Sequence, residues 1–499
     1  MDDNTLHTQE TEPTELQQTK HVRFGEQMAF NLSAMLRDMS RGLFIGQLQT
    51  FWIMVMGNEP LVMGPLQVVQ RIWDGITDPA VGAYFDRQTY TNEKARRFFK
   101  LTALPLTIIL VLMFLPFRFH SDPLVNSFIH MGFILLLYLP FDPMESLNGT
   151  AFMSYYNSIS PNIQERNGII ARSRMFSSFG GAAVGGIPMI FGWFTDGPGD
   201  VQGRRQIFLI ATFVVGAAFL LYNFLMYTKV RERIISPPQT QRQKILRIFR
   251  GLLKNRLFLV LVLSNTIGGL INRGGTDVFL FEYNIGDVSW HGYVGLIGGL
   301  PALLVATWAM PKLCNWFEKR NIVIGCSVAR LVVRGLFLII GMQPGMFNLT
   351  GVNTSLNARL FVSSVAFLNE VPNAIRGQLY WSMLADSVDY GDWKTGKRND
   401  GVVYTTEGLM GKMIGSIGAL STGLILHFID FRPLAEYQSP RTMRGLFTVP
   451  LSIELISITA STVPFFFYNL KRAQHAQLVE ELKARAAAAE AVELSEALQ

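Results

Sequence analysis

The chain has 499 residues, of which 49% are hydrophobic and only 16% charged, and its formal net charge is +7. Such an apolar excess excludes an ordinary soluble domain and is typical of a polytopic membrane protein. The sequence contains no HExxH, Walker-type or CxxC motif and no nucleophile elbow, so an enzyme would lack its catalytic residues.

Apolar windows of about 20 residues, the length that crosses a bilayer, predict twelve helical spans. The spans lie near residues 29–56, 61–84, 101–118, 123–157, 174–195, 206–227, 257–282, 292–310, 322–342, 357–385, 402–428 and 445–469. The first window follows a polar segment without the apolar core of a signal peptide. The sequence therefore predicts an all-α membrane protein.

A basic segment at 228–256 divides these spans into two groups of six, 29–227 and 257–470. Because basic loops alternate along the chain, the positive-inside rule places this linker and the tails, 1–28 and 471–499, in the cytoplasm. The net positive charge then reflects orientation in the plasma membrane, and we expect no nucleic-acid partner.

Two acids lie one helical turn apart in the second span, Asp74 and Asp78, with Arg71 on the same helix face. A carboxylate at the centre of a membrane helix costs roughly 2.5–3.5 kcal/mol on insertion scales. Two such charges require a cation between them or a shared proton. The pair therefore predicts a binding site for a coupling ion, Na⁺ or H⁺. The competing interpretation is an internal ion pair with Arg71 or Lys412 that only holds the bundle together.

Three segments together resemble the glycoside-pentoside-hexuronide:cation symporters of the major facilitator superfamily. They are RIWDGITDPAVGAYFDR at 71–87, NIQERNGIIARSRMFSSFGG at 162–181, and LADSVDYGDWKTGKRNDGVVYTTEGLMGKMIGSIGA at 384–419. Their order and spacing follow that family over most of the chain.

The resemblance implies a major facilitator fold with two pseudo-symmetric six-helix halves. It also implies import of a sugar, glycoside or hexuronide by alternating access, driven by Na⁺ or H⁺. Asp74 and Asp78 match the family's cation-binding acids, which makes them metal ligands if the ion is Na⁺. Asp38, Arg174 and Lys412 match its substrate-binding positions.

Each of these positions has a simpler interpretation. Asp38 lies beside Arg37 and Arg41, so a local charge pair competes with substrate binding. Arg174 begins the predicted fifth span, where an arginine can mark the membrane border. Lys412 lies well inside the eleventh span, where a buried amine needs a partner, and we expect it to pair with the acids of the second span when no cation is bound.

Further charges are expected to form gates or charge pairs, Arg71 with the acids of the second span and the others at the cytoplasmic side. The family interpretation is an inner gate, and the simpler one is a solvated connector. The residues are Arg71, Arg166, Asp386, Asp389 and Arg398.

The chain also departs from the family. The position of the family's acid on helix four is Gly149, with Asp142 and Glu145 as the nearest acids, and the hydroxyl position on helix eleven is Gly408. Galactoside specificity is therefore not predicted. The alternatives are a lysolipid-like or other amphipathic solute, or a membrane sensor that transports nothing. We expect a monomer without a cofactor, whose partners are the solute, the coupling cation and the bilayer.

Overall fold

The computed structural model describes residues 20–86, 95–197, 199–233, 255–271, 275–343, 354–395 and 400–497. These residues form helices and no strand, so the all-α class is confirmed. The α-helices are α1 (Phe24–Arg41), α2 (Gln47–Thr50), α3 (Pro60–Asp86), α4 (Arg96–Met113), α5 (Pro123–Ser158), α6 (Ile163–Gly185), α7 (Ile187–Phe194), α8 (Val201–Lys229), α9 (Arg256–Leu270), α10 (Asp277–Tyr283), α11 (Ser289–Val294), α12 (Leu300–Trp316), α13 (Lys319–Gly341), α14 (Leu356–Thr395), α15 (Asp400–Phe428), α16 (Pro440–Thr462) and α17 (Arg472–Ala497).

Five helical segments among the described residues are long and apolar enough to cross a bilayer. They are Pro123–Tyr156, Gly168–Phe194, Val201–Lys229, Lys319–Gly341 and Pro440–Phe467. The total of twelve spans, and the division into two halves, stay predictions.

Several helix boundaries differ from the prediction, two of them near the candidate site. The third predicted span, 101–118, is α4, which ends at Met113. The fifth span was expected to begin at Arg174, but α6 begins at Ile163 because the side chain of Asn162 accepts a hydrogen bond from the backbone N–H of Glu165, 3.0 Å away. Arg174 therefore lies three turns inside the helix, and the prediction that it marks the start of the helix was wrong.

Helices of each predicted half pack mainly on one another. In the first half α1 packs on α6 and α8, and α3 packs on α5; in the second half α14 packs on α12 and α13. Between the halves α3 packs on α15 and α7 packs on α11. We call the end of the bundle where α7 meets α11 the far end, since it lies opposite the start of α1 and the start of α17.

Close packing of α1 on α6 depends on a residue without a side chain. A Cβ atom built on Gly180 of α6 would collide with the backbone carbonyl oxygen of Met35 on α1. A Cβ atom at the neighbouring Gly181 would meet nothing within 4 Å. Small residues at such contacts allow membrane helices to approach closely.

The two glycines form a matched pair for mutation. We expect Gly180→Ala to lower the unfolding temperature of the detergent-solubilised protein, because overpacking a contact costs about 1–3 kcal/mol. Gly181→Ala should leave that temperature equal or higher, because alanine favours the helix. Thermal unfolding of both variants would check this, and an equal effect of the two would contradict the packing argument.

The chain before α1 is held by Glu165 at the start of α6. Its carboxylate accepts hydrogen bonds from Ser160 Oγ at 2.6 Å and from the backbone N–H groups of His21 at 3.0 Å and Val22 at 3.1 Å. Burial by itself raises the pKa of Glu165, but these three donors favour the charged form and hold its pKa below the ordinary value of 4.5.

A depressed pKa in the folded protein gives stabilisation that is present above pH 4.5 and lost as the pH falls through the folded value. We therefore expect the backbone amides of His21 and Val22 to lose protection from hydrogen exchange between pH 7 and strongly acidic solution. Glu165→Gln should lack this protection already at pH 7. Exchange measured by mass spectrometry, corrected for intrinsic rates, checks both; protection that does not change with pH would argue against the anchor.

Candidate functional site

A polar cavity lies inside the first half, surrounded by α1, α3, α4, α5 and α8. Its volume is about 60 Å³. Three arginines and three acids line it: Arg37, Arg41, Arg71, Asp74, Asp142 and Glu145. Six ionisable groups around one cavity in an apolar bundle mark it as the candidate site.

Asp74 is buried at the centre of this group. Its Oδ2 atom accepts a hydrogen bond from Arg71 Nη1 at 2.9 Å, and its Oδ1 atom accepts one from the hydroxyl of Tyr138 on α5. The ion pair with Arg71 is thus present. Asp78, one turn along α3, is half-buried and is not among the residues that line the cavity.

Asp142 on α5 lies beside Asp74. It accepts a hydrogen bond from the hydroxyl of Thr77 on α3, and the Tyr138 hydroxyl lies 3.4 Å from its Oδ1 atom. No basic side chain among the described residues lies within ion-pair distance of this buried carboxyl. Sequence reasoning considered Asp142 only as a replacement for the missing acid on helix four and did not place it next to Asp74. The sequence offered one indication that Asp142 belongs to a polar cluster: Tyr138 and Asp142 are four residues apart and therefore share one helix face.

Prolines fix how α3 and α5 meet. Pro143 has no N–H group, so the carbonyl of Leu139, four residues earlier on α5, has no donor within the helix. The indole N–H of Trp73 on α3 donates to this carbonyl at 3.2 Å. The contact fastens the two helices next to Asp74 and Asp142.

A second charged group occupies the α1 side of the cavity. Glu145 Oε1 lies 3.8 Å from Arg37 Nη2 and 3.7 Å from Arg41 Nε. The guanidinium of Arg37 lies over the ring of Phe152, and a Cβ atom built on Gly149 would be 2.9 Å from it. Arg37 therefore fills the space that a side chain at position 149 would need, and Glu145, one turn earlier on α5, supplies the nearest carboxylate.

Asp38 and Arg174 lie near this second group. Asp38 accepts a hydrogen bond from the hydroxyl of Ser177 on α6 and lies 3.8 Å from Arg37 Nη1. Arg174 is exposed, with its guanidinium 5.5 Å from the ring centre of Tyr156. The side chain of Lys412, the third predicted substrate residue, lies outside the described part of the structure.

Arg71 lies in the middle of α3, whereas the other described gating residues lie toward the ends of helices. Asp386 on α14 forms an ion pair with Lys319 Nζ at 2.6 Å, and Asp389 lies 3.3 Å from His475 Nε2 on α17. The first contact lies within the second half, and the second joins that half to the C-terminal tail. Arg166 is half-buried in the first turn of α6. Arg398 lies outside the described residues.

Comparison with known proteins agrees with this architecture. Residues 32–472 match the family model described as MFS/sugar transport protein. A putative 2,3-dihydroxypropane-1-sulfonate exporter of Salmonella typhimurium is 25% identical, over 94% of this chain and 97% of that protein. The isoprimeverose transporter of Lactiplantibacillus pentosus is 23% identical, over 94% of each chain.

Among solved structures, the inward-open xylose transporter XylE from E. coli is 13% identical and superimposes with a TM-score of 0.53. The alignment covers 92% of this chain and 99% of that one, and it supports the fold. The matched family model covers most of the chain, and it describes transport proteins, not enzymes. The chain is therefore a multi-pass membrane protein of the MFS/sugar transport family, which confirms its resemblance to the glycoside-pentoside-hexuronide:cation symporters of the major facilitator superfamily.

Proposed function

We propose that this protein is a cation-coupled symporter that imports a sugar, glycoside or hexuronide by alternating access. One observation carries the coupling part of the proposal. Asp142 is buried next to Asp74 and meets two hydroxyl groups, while the only described base beside the two acids is Arg71. With both acids ionised, this cluster has one negative charge too many for its apolar surroundings.

A monovalent cation or a proton would balance that charge. Carboxylate and hydroxyl oxygens are the hard ligands that Na⁺ takes, and Asp74, Asp142, Thr77 and Tyr138 bring four such groups together. A shared proton would equally relieve two adjacent carboxylates. No three His, Cys, Asp or Glu side chains converge on a metal position within the described residues. Na⁺ would therefore need the hydroxyl oxygens as well as the two carboxylates.

Asp78 and Lys412 keep their predicted roles as further members of the site. Asp78 lies on the same helix as Asp74, and Pro79 frees the carbonyl of Gly75 as one more oxygen ligand. Lys412 is proposed to offset the acids of α3 when no cation is bound.

The second charged group suits a polyhydroxylated solute. A carboxylate accepts two sugar hydroxyls at once, and a guanidinium donates to hydroxyl, carboxylate or sulfonate oxygens. Glu145, Asp38, Arg37 and Arg41 provide both kinds of group, with Arg174 nearby. Two relatives, the isoprimeverose transporter and the putative 2,3-dihydroxypropane-1-sulfonate exporter, are named for solutes of this kind. The solute is proposed to bind at this group in the first half, with Lys412 as the predicted contact from the second half.

Coupling needs only that the solute bind better when the cation is present. The two acids of the proposed cation site line the same cavity as Glu145, Arg37 and Arg41 of the second charged group. The two groups are joined by α5, which carries Asp142 and Glu145 one turn apart. Neutralising Asp142 would change the electrostatic potential at Glu145, and with it the affinity for the solute. The protein is proposed to act in the plasma membrane with both termini cytoplasmic.

An amphipathic solute is less well supported. It would need an apolar pocket that opens onto the charged cavity. The large apolar pocket among the described residues lies between α1, α6, α7 and α8 and shares no lining residue with the cavity. A membrane sensor that transports nothing would have no need for the buried carboxyl of Asp142, which has no basic partner among the described residues.

The cation site predicts a separation of two activities. In vesicles, Asp142→Asn should reduce accumulation of a labelled glycoside driven by an Na⁺ or H⁺ gradient by tenfold or more, about 1.4 kcal/mol of lost coupling. Solute exchange without a gradient should persist, because the second charged group, where the solute is proposed to bind, is intact. Asp74→Asn should act in the same direction. Asp430→Asn, which alters an exposed pair with Arg441, is the control. Full accumulation in Asp142→Asn and Asp74→Asn would remove the ion site.

The solute site predicts a change in affinity. We expect Glu145→Gln to raise the KM for the transported glycoside about tenfold, because a charged hydrogen-bond acceptor contributes about 1.5–3 kcal/mol. The half-maximal Na⁺ or H⁺ concentration should change less. Uptake with the glycoside varied at saturating cation measures the KM, and uptake with the cation varied at saturating glycoside measures its half-maximal concentration. An unchanged KM would exclude Glu145 from the solute site.

A further inference from the structure

Two ions are buried together where the halves meet at the far end. Arg204, near the start of α8 in the first half, donates from Nη2 to Oε1 of Glu282, near the end of α10 in the second half. Their side chains are only 2% and 3% exposed. Among the described residues this is the one ion pair that joins the two halves.

The surroundings of this pair are apolar. The Arg204 guanidinium lies 5.4 Å from the ring centre of Phe191, and Phe191 belongs to a hydrophobic cluster that contains residues of both halves, including Val278 and Phe279 of α10. Arg204 Nε has no hydrogen-bond partner among the described residues. Each ion therefore depends on the other, because little else nearby stabilises a charge.

Other contacts across the far end are of different kinds. Trp193 Nε1 donates to the hydroxyl of Tyr293 at 2.9 Å, but Trp193 is half exposed. Leu420 on α15 lies against Gly64 on α3, an apolar contact. The ion pair is thus the charged and buried part of the far-end closure.

We propose that Arg204 and Glu282 form a latch that favours the conformation in which the far end is closed. Alternating access requires the halves to separate at this end in one part of the cycle. Separation would admit water, which hydrates both ions, whereas closure buries them as a pair. A single buried ion costs far more than a buried pair. Loss of either partner should therefore destabilise the closed conformation selectively.

A double variant distinguishes loss of the ion pair from a general loosening of the protein. Replacing both ions by apolar residues of similar volume removes the burial cost together with the attraction, and such replacements in other proteins are often neutral. Single variants should open the far end, and the double variant should close it again. Arg205 is a matched control, because this neighbouring arginine faces the Val55 carbonyl and not Glu282.

The test uses the full-length protein with Cys314→Ser, Cys326→Ala and the reporter Leu420→Cys, labelled in detergent with a water-soluble maleimide. We expect Arg204→Met and Glu282→Gln each to raise the labelling rate at least fivefold. Arg204→Met combined with Glu282→Leu should return it to within twofold of the parent. Arg205→Met should leave it unchanged. No solute or cation is added, so the result is independent of the proposed symport.

Unchanged labelling in both single variants would overturn the latch. Equal rates in the single and double variants would do the same, because they would indicate general loosening. If the single variants do not fold, the charge exchange Arg204→Glu with Glu282→Arg decides: a folded protein with parental labelling supports the pair, and an unfolded or readily labelled one rejects it.

Discussion

The interaction on which the site depends is the contact of two carboxyl groups in an apolar bundle, Asp74 and Asp142, around the hydroxyl of Tyr138. Charge in such surroundings is tolerated only when it is compensated. Arg71 compensates one acid and no described base compensates the other. The second charged group, where the solute is proposed to bind, lies beside these two acids in the same cavity.

Prolines make this contact possible. α3 and α5 each contain two internal prolines, and Pro143 leaves a carbonyl to which Trp73 donates. In a soluble protein water would satisfy such a carbonyl, but in a bilayer a neighbouring helix must do so. The hydrogen bond therefore holds α3 against α5 next to the two acids. The carbonyl that Pro143 leaves unpaired thus helps to fix the positions of Asp74 and Asp142.

The charged cavity of the first half differs from the ion pair of Arg204 and Glu282, which joins the two halves. The cavity in the first half contains arginines and acids in comparable numbers, several at separations of 3.7–3.8 Å, longer than a strong ion pair. Such loosely held groups are available to a ligand. Arg204 and Glu282 are instead fully buried and in direct contact across the halves. The first arrangement suits binding, and the second suits holding a conformation.

The sequence by itself determined the helical membrane class, the family and the position of Asp74 beside Arg71, because apolar length, loop charge and spacing along one helix are local properties. It placed the start of α6 too late, since the capping residue Asn162 lies outside the apolar window. It could not decide which helix-four acid meets Asp74, how Arg37 fills the space at Gly149, or that Arg204 meets Glu282. Those contacts join residues 68 to 112 positions apart in the chain. Only the packing of one helix on another brings such residues together.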